Sequence, residues 1–333
     1  MLWFIRTNYL LSLLVILLCS NTFAQQPNIQ SSLHPPRLPE SPIFVQPSQS
    51  ILWKISKDGE SHSSYIYAIP PKVPRDFFFV PDGLPNLIQN SDKLIMEVNP
   101  NEVSLDYLHR GDVPMDSTLD VILPRKKYQE IESFIEDRLS DKSAEKLKNR
   151  YSPKDLSRQM LSDYCLGYQE NNKPVDYEDF IYRVADKPLK TLNTGWTRAA
   201  WQENFSIKEQ THDLIRSYEN RDSLCSVYKE YLMAYRRQDL DALWLLAKEI
   251  PEFGGNHNQL IEVRNREWLE SLSWQLQFED YFIVVNAVQL PGEFGLLHLL
   301  RKAGYEVTPI EKNIPKYKHD PERYAFPKLQ NKN

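Results

Sequence analysis

The residues best placed to do chemistry are a carboxylate ending an apolar run, Lys93-Leu94-Ile95-Met96-Glu97-Val98, and a polar pair, Arg264-Asn265, inside a helical pattern. A buried carboxylate can act as general acid or base or hold a metal, and a guanidinium beside an amide can bind an anion. The same residues have a structural reading in which Arg264 neutralises Glu97 and Asn265 holds a loop. Buried charges require partners, so that reading carries more weight. Trp196 and Trp201, with Arg198 and Gln202 nearby, could line a ligand cleft, although aromatics at helical spacing usually serve the core.

Other chemistries are absent as local motifs. The seven histidines all lie more than 20 residues apart, and neither CxxC nor any Cys/His cluster of zinc-ligand spacing occurs. No GxGxxG, GxxxxGK or GxSxG is present. Ten glycines in 333 residues are about half the usual share, too few and too scattered for a Gly-rich phosphate cradle. A formal net charge of −5 makes nucleic acid an unsuitable partner.

The elements that must position Glu97 and Arg264 are legible as strands near both chain ends with helices between. Ile51 to Ile55 and Ser64 to Ile69 alternate as a β-hairpin around Asp58-Gly59, and Pro70-Pro71 ends it. A short helix over Leu84 to Gln89 precedes a buried strand over Lys93 to Val98. Helical periodicity runs through Arg125 to Leu139, Pro153 to Gln169 and Tyr177 to Ala185, followed by a short strand over Pro188 to Leu192. Further helices are expected over Thr197 to Tyr218, Asp222 to Gln238, Leu240 to Lys248 and Gln259 to Gln275. A strand over Tyr281 to Val288, a helix over Glu293 to Ala303 and a strand over Tyr305 to Ile310 form a β-α-β unit with parallel strands. The expectation is one α/β domain whose central mixed sheet comes from the N- and C-terminal strand regions, with a large helical middle.

Residues 1–24 read as a secretory signal peptide: one charge, Arg6, an apolar run from Leu10 to Leu18, and a Thr22-Phe23-Ala24 ending that suits cleavage before Gln25. The run is too short to span a bilayer, so no transmembrane helix is expected after cleavage. A signal anchor is the first alternative and a lipid anchor at Cys19 the second, since Leu17 and Leu18 are bulky for lipoprotein processing. Residues 25–50, with six prolines among Gln and Ser, read as a disordered linker. Residues 313–333 read as a basic, solvated tail. The mature chain is expected to be periplasmic or extracellular. Cys165 and Cys225 remain after cleavage; a disulfide and two buried thiols are both open.

The order of these segments resembles the TraB/GumN family, to which the animal Tiki metalloproteases are related and which is similar in fold to the erythromycin-esterase/ChaN group. The resemblance covers roughly residues 51–312. It rests on Leu52-Trp53-Lys54-Ile55, Ser64-Tyr65-Ile66-Tyr67, Ile95-Met96-Glu97-Val98, Val263-Arg264-Asn265-Arg266-Glu267-Trp268 and, most specifically, Leu290-Pro291-Gly292-Glu293-Phe294-Gly295-Leu296-Leu297 with Leu300-Arg301-Lys302-Ala303-Gly304-Tyr305. It implies a metal-dependent peptidase or hydrolase using a divalent ion such as Mn or Zn.

Typical members end the first strand in Gly-x-x-His, carry Leu-Glu-Thr on a central strand, and end a late strand in a second Gly-x-x-His. Here those positions read Ala68-Ile69-Pro70-Pro71, Leu192-Asn193-Thr194 and Asn286-Ala287-Val288-Gln289. Proline and glutamine can neither ligate a metal as imidazole does nor titrate near neutrality. Asn tolerates the left-handed backbone region, so the second turn is expected to keep its shape. His62 and His298 lie near the lost motifs and are weak surrogates. The expectation is a degenerate member, without cofactor, that binds a protein partner or small ligand. Glu97 is its relict catalytic residue, and Arg264, Asn265, Asn286 and Gln289 are cleft residues. The alternative is an active metal-dependent hydrolase using Glu97 with relocated ligands.

Overall fold

A computed structural model describes residues 50–59, 62–70, 72–99, 118–138, 152–166, 174–193, 206–250 and 257–310. The leader, all but the last residue of the Pro-rich linker, the basic tail, Pro71, Thr194, Trp196, Arg198, Trp201 and Gln202 lie outside the described residues.

Six strands form one mixed sheet: β1 (Leu52–Ser56), β2 (Ser63–Ile69), β3 (Lys93–Met96), β4 (Leu189–Thr191), β5 (Tyr281–Asn286) and β6 (Glu306–Pro309), in the order β4-β3-β5-β2-β1-β6. The hairpin forms as its alternation requires, with Leu52 opposite Tyr67 and Ser56 opposite Ser63. Strands β2, β5, β3 and β4 are mutually parallel, and β5 inserts between β2 and β3. Five consecutive residues of β5 are buried, the pattern of a strand covered on both faces. β6 pairs antiparallel with β1 and so runs in the direction of β5. The expected β-α-β strands are thus parallel, but β2 and β1 separate them.

Ten α-helices occur among the described residues: α1 (Leu84–Asn90), α2 (Leu119–Ile122), α3 (Arg125–Arg138), α4 (Pro153–Leu166), α5 (Tyr177–Ala185), α6 (Ile207–Glu219), α7 (Arg221–Arg237), α8 (Leu240–Ala247), α9 (His257–Gln275) and α10 (Leu296–Lys302). None is long and apolar enough to cross a membrane. Local chemistry sets several starts. The Asp176 side chain accepts from the Glu178 and Asp179 amides, and Asp239 accepts from Ala242. Ser206 and Glu209 form a reciprocal capping box, so α6 starts there and not at Thr197.

The main core lies on the sheet and includes Ile66, Tyr67, Ile95, Tyr235, Phe282 and Leu300. A second, smaller core, including Leu119, Ile131, Leu156, Met160 and Leu214, joins α2, α3, α4 and α6. Cys165 of α4 and Cys225 of α7 form a disulfide, which resolves the choice left open by the sequence and excludes two free thiols.

The C-terminal block turns on glycine. Gly292 has φ of 86°, whereas Gly295 has an ordinary backbone but no room: an added Cβ would lie 2.2 Å from the carbonyl oxygens of Leu290 and Pro291. Gly295→Ala is therefore expected to lower unfolding free energy by about 3 kcal/mol, the upper end of the overpacking range. Urea denaturation checks this; an unchanged midpoint would show that the loop relaxes freely.

Candidate functional site

Parallel pairing brings the ends of four strands to one sheet edge. Ile69 pairs with Asn286, and Met96 lies between Val284 and Thr191. The residues that follow, Pro70 after β2, Glu97 after β3 and Asn193 shortly after β4, therefore gather beside Asn286, at the carboxyl edge where open α/β sheets bind ligands.

Glu97 is held from three directions. Its Oε1 accepts the Asn286 amide N–H at 2.7 Å, and its carbonyl accepts the Asn193 N–H at 2.9 Å. Its Oε2 lies 3.7 Å from Arg264 Nη1, an ion pair longer than a direct hydrogen bond. Arg264 projects from α9 with its guanidinium 5.6 Å from the centre of the Trp268 ring, one helical turn on. Trp268 is buried and donates its Nε1–H to Asn193 Oδ1 at 3.0 Å. Glu97, Arg264, Trp268 and Asn193 thus close a ring across β3, α9 and β4.

Asn265, fully buried, donates through Nδ2 to the Gln289 and Phe294 carbonyls, both at 2.8 Å. It holds the loop from the 3-10 turn Ala287–Gln289 to the start of α10. Gln289 is itself buried, and its Oε1 and Asn265 Oδ1 are acceptors without a donor among the described residues. Asn286 has φ of −59° and ψ of 139°, and its side chain accepts the Val288 amide. The left-handed region that Asn tolerates is not used here: Asn286 ends β5 by capping the turn, and the strand stops two residues short of the expected Val288.

At the end of β2 the Tyr235 hydroxyl donates to the Ala68 carbonyl at 3.0 Å and lies 3.1 Å from the Tyr67 hydroxyl. Neither tyrosine has a chemical role legible in the sequence. Their contact joins residues 168 apart and leaves no local signal. Trp268 did leave one, its i+4 spacing from Arg264.

His62 is remote from this edge. It precedes β2, roughly 26 Å along the strand from Pro70, and its Nδ1 lies 3.3 Å from Asp280 Oδ1. His298 is half-buried on α10. Among the described residues no group of three or more His, Cys, Asp or Glu is placed to hold a metal. Among the described residues, the donor set around Glu97 does not fit a divalent ion. One carboxylate oxygen is taken by a backbone N–H, a guanidinium faces the other, and the amide oxygens of Asn193 and Asn286 already accept hydrogen bonds.

A family model described as TraB/PrgY/gumN matches residues 51–309. The chain belongs to the TraB/PrgY/GumN family. No curated protein and no solved structure matches it. The matched span starts one residue before β1 and ends with β6, so this family domain includes the whole sheet and the Glu97 edge.

Burial raises the Glu97 carboxyl above its ordinary 4.5; the Arg264 charge and the Asn286 N–H lower it without cancelling that effect. An acid raised in the fold keeps its proton longer there than in the unfolded chain. Its ionisation therefore costs stability as pH climbs from 4.5 toward the raised value. In Glu97→Gln this cost is absent, and the variant's stability relative to wild type is expected to improve as pH rises from about 4 to 7. Urea unfolding at a series of pH values measures the difference. A relative loss for the variant over that window would mean that Arg264 and the amide outweigh burial.

Proposed function

We propose that this TraB/PrgY/GumN-family chain is an exported, catalytically degenerate member that acts by binding a small ligand or protein partner at the carboxyl edge of its sheet. The observation that carries the proposal is the occupancy of Glu97. A carboxylate that must activate water or hold a metal needs an open coordination side, and here a backbone N–H and Arg264 face its two oxygens. Pro71 and Gln289, at the positions where the family resemblance implies histidines, supply no base titrating near neutrality. The buried Gln289 oxygen keeps an acceptor for a ligand donor or bound water. Export is supported by the composition of residues 1–24 and by the Cys165–Cys225 disulfide, a bond that persists in oxidising compartments.

The purified mature chain is expected to carry no stoichiometric Mn, Co or Zn and to show no concentration-dependent rise in Tm with any of the three. Elemental analysis and thermal unfolding check this. A bound equivalent, or a saturable Tm rise lost in Glu97→Gln, would overturn degeneracy in favour of a metal-dependent hydrolase. Export predicts a mature N-terminus at Gln25 by mass spectrometry, and a secreted form that retains its leader would contradict cleavage.

A further inference from the structure

Helix α9 has two faces of opposite character. Its inner face carries Asn265, Trp268 and Leu272, all buried. On the other side stand Val263, Glu267, Glu270 and Trp274, within an arc of about 60° at 3.6 residues per turn. Phe278, in the turn that follows the helix, continues the line, its ring centre 5.1 Å from that of Trp274. Val263, Trp274 and Phe278 are 45%, 64% and 56% exposed, and they are three of the seven large apolar side chains exposed among the described residues. Exposed apolar side chains scattered singly need no explanation, whereas three on one line mark a contact surface.

The stripe is acidic toward one end and aromatic at the other. Glu267 and Glu270 are exposed, and neither side chain has a hydrogen bond or ion pair among the described residues. The cation adjacent in sequence, Arg266, is committed to Glu262 at 2.9 Å. An anionic membrane surface would be repelled by the two carboxylates, and a second copy laying the same stripe against itself would set carboxylate near carboxylate. An uncharged apolar partner would desolvate both acids without pairing them. A guanidinium suits both ends, because it pairs with a carboxylate in a fixed fork and also stacks on an aromatic face.

We propose that the outer face of α9 docks an arginine-bearing segment of a protein partner, with guanidinium groups at Glu267 and Glu270 and another against Trp274 and Phe278. From Glu267 to Phe278 the stripe runs about 16 Å, the reach of about five extended residues. Arginines at alternate positions of such a segment recur on one side every ~6.6 Å, close to the axial steps of about 4.5 to 6 Å between the stripe residues. Charge complementarity and the aromatic pair thus select the same side chain. The surface shares no residue with the Glu97 edge and does not depend on the function proposed for it.

The probe is a fluorescein-labelled Arg-Ser-Arg-Ser-Arg peptide, titrated against the mature protein by anisotropy at low salt, with the Lys-Ser-Lys-Ser-Lys peptide as its equal-charge control. The arginine peptide is expected to bind saturably and the lysine peptide roughly fivefold weaker, since an ammonium cannot stack as a guanidinium does. Trp274→Ala with Phe278→Ala is expected to weaken the arginine peptide roughly tenfold and to abolish its advantage over lysine. Glu267→Gln with Glu270→Gln is expected to weaken both peptides and to remove most of the salt dependence of binding. All four positions are exposed, and circular dichroism checks that the variants fold. No saturable binding, equal binding of the two peptides to wild type, or undiminished binding to either folded variant overturns the proposal. A concentration-dependent dimer lost in the aromatic variant would assign the stripe to a second copy. Tighter peptide binding after Lys316→Ser with Lys318→Ser would assign it to the chain's own basic tail. Either of these results also overturns the proposal.

Discussion

The pairing of β2 with β5 is the constraint on which the rest of the molecule depends. It joins residues 217 apart, as between Ser64 and Tyr281, and nearly the whole helical middle is the crossover between these parallel strands. Closing so long a loop is entropically costly before any contact rewards it, and β5, with five consecutive buried residues and flanked by β2 and β3, supplies apolar contact at the centre. Once it forms, the direction of every neighbour follows: β3 and β4 run with it, and their carboxyl ends fall at one edge. Glu97, Asn193 and Asn286 become neighbours through this pairing and not through proximity in sequence.

What gathers at that edge is linked group to group. The Asn286 amide donates to Glu97 and Arg264 faces its other oxygen at 3.7 Å, Trp268 donates to Asn193, and Asn193 returns its backbone N–H to the Glu97 carbonyl. Such a network is costly to break at any single point, because removal of one member leaves a buried partner unsatisfied. Glu97 nonetheless remains a carboxyl whose burial outweighs its partners. The edge therefore combines a linked geometry with a carboxyl that its surroundings do not fully stabilise in the charged form.

Much of this was legible in the sequence, for physical reasons that differ by element. The hairpin, β3 and β5 are visible because their apolar runs and turn residues are local, and the Glu97–Arg264 pairing follows from the rule that buried charge needs a partner. Asn265 as a loop holder was readable on the same terms. The end of β5 was not, because Asn286 has two local uses, a left-handed turn or a side-chain cap, and only the backbone around it decides between them. The start of α6 was written in Ser206 and Glu209 but hidden by helical periodicity continuing upstream. The contact of Tyr235 with Ala68, and the Cys165–Cys225 bond, depend on how α7 packs, for which one sequence holds no local sign.

The glycines separate fold from site more sharply than the motifs do. In the C-terminal block, Gly292 and Gly304 have positive φ and Gly295 is pressed against two carbonyls, so all three are required by backbone geometry. Ala68 and Asn286 stand where the family resemblance implies glycine, yet among the described residues only Asp186 and Gln238 are non-glycine positions with positive φ. The backbone at these two strand ends makes no demand for glycine. A glycine there would serve instead to let something approach the chain closely. In this protein that approach is made from within: the Tyr235 hydroxyl occupies the Ala68 carbonyl and the Glu97 carboxylate occupies the Asn286 amide. Side chains of the fold thus stand at the two backbone groups that a closely approaching molecule would otherwise meet, and among the described residues the buried side-chain oxygens of Gln289 and Asn265 are left without a donor.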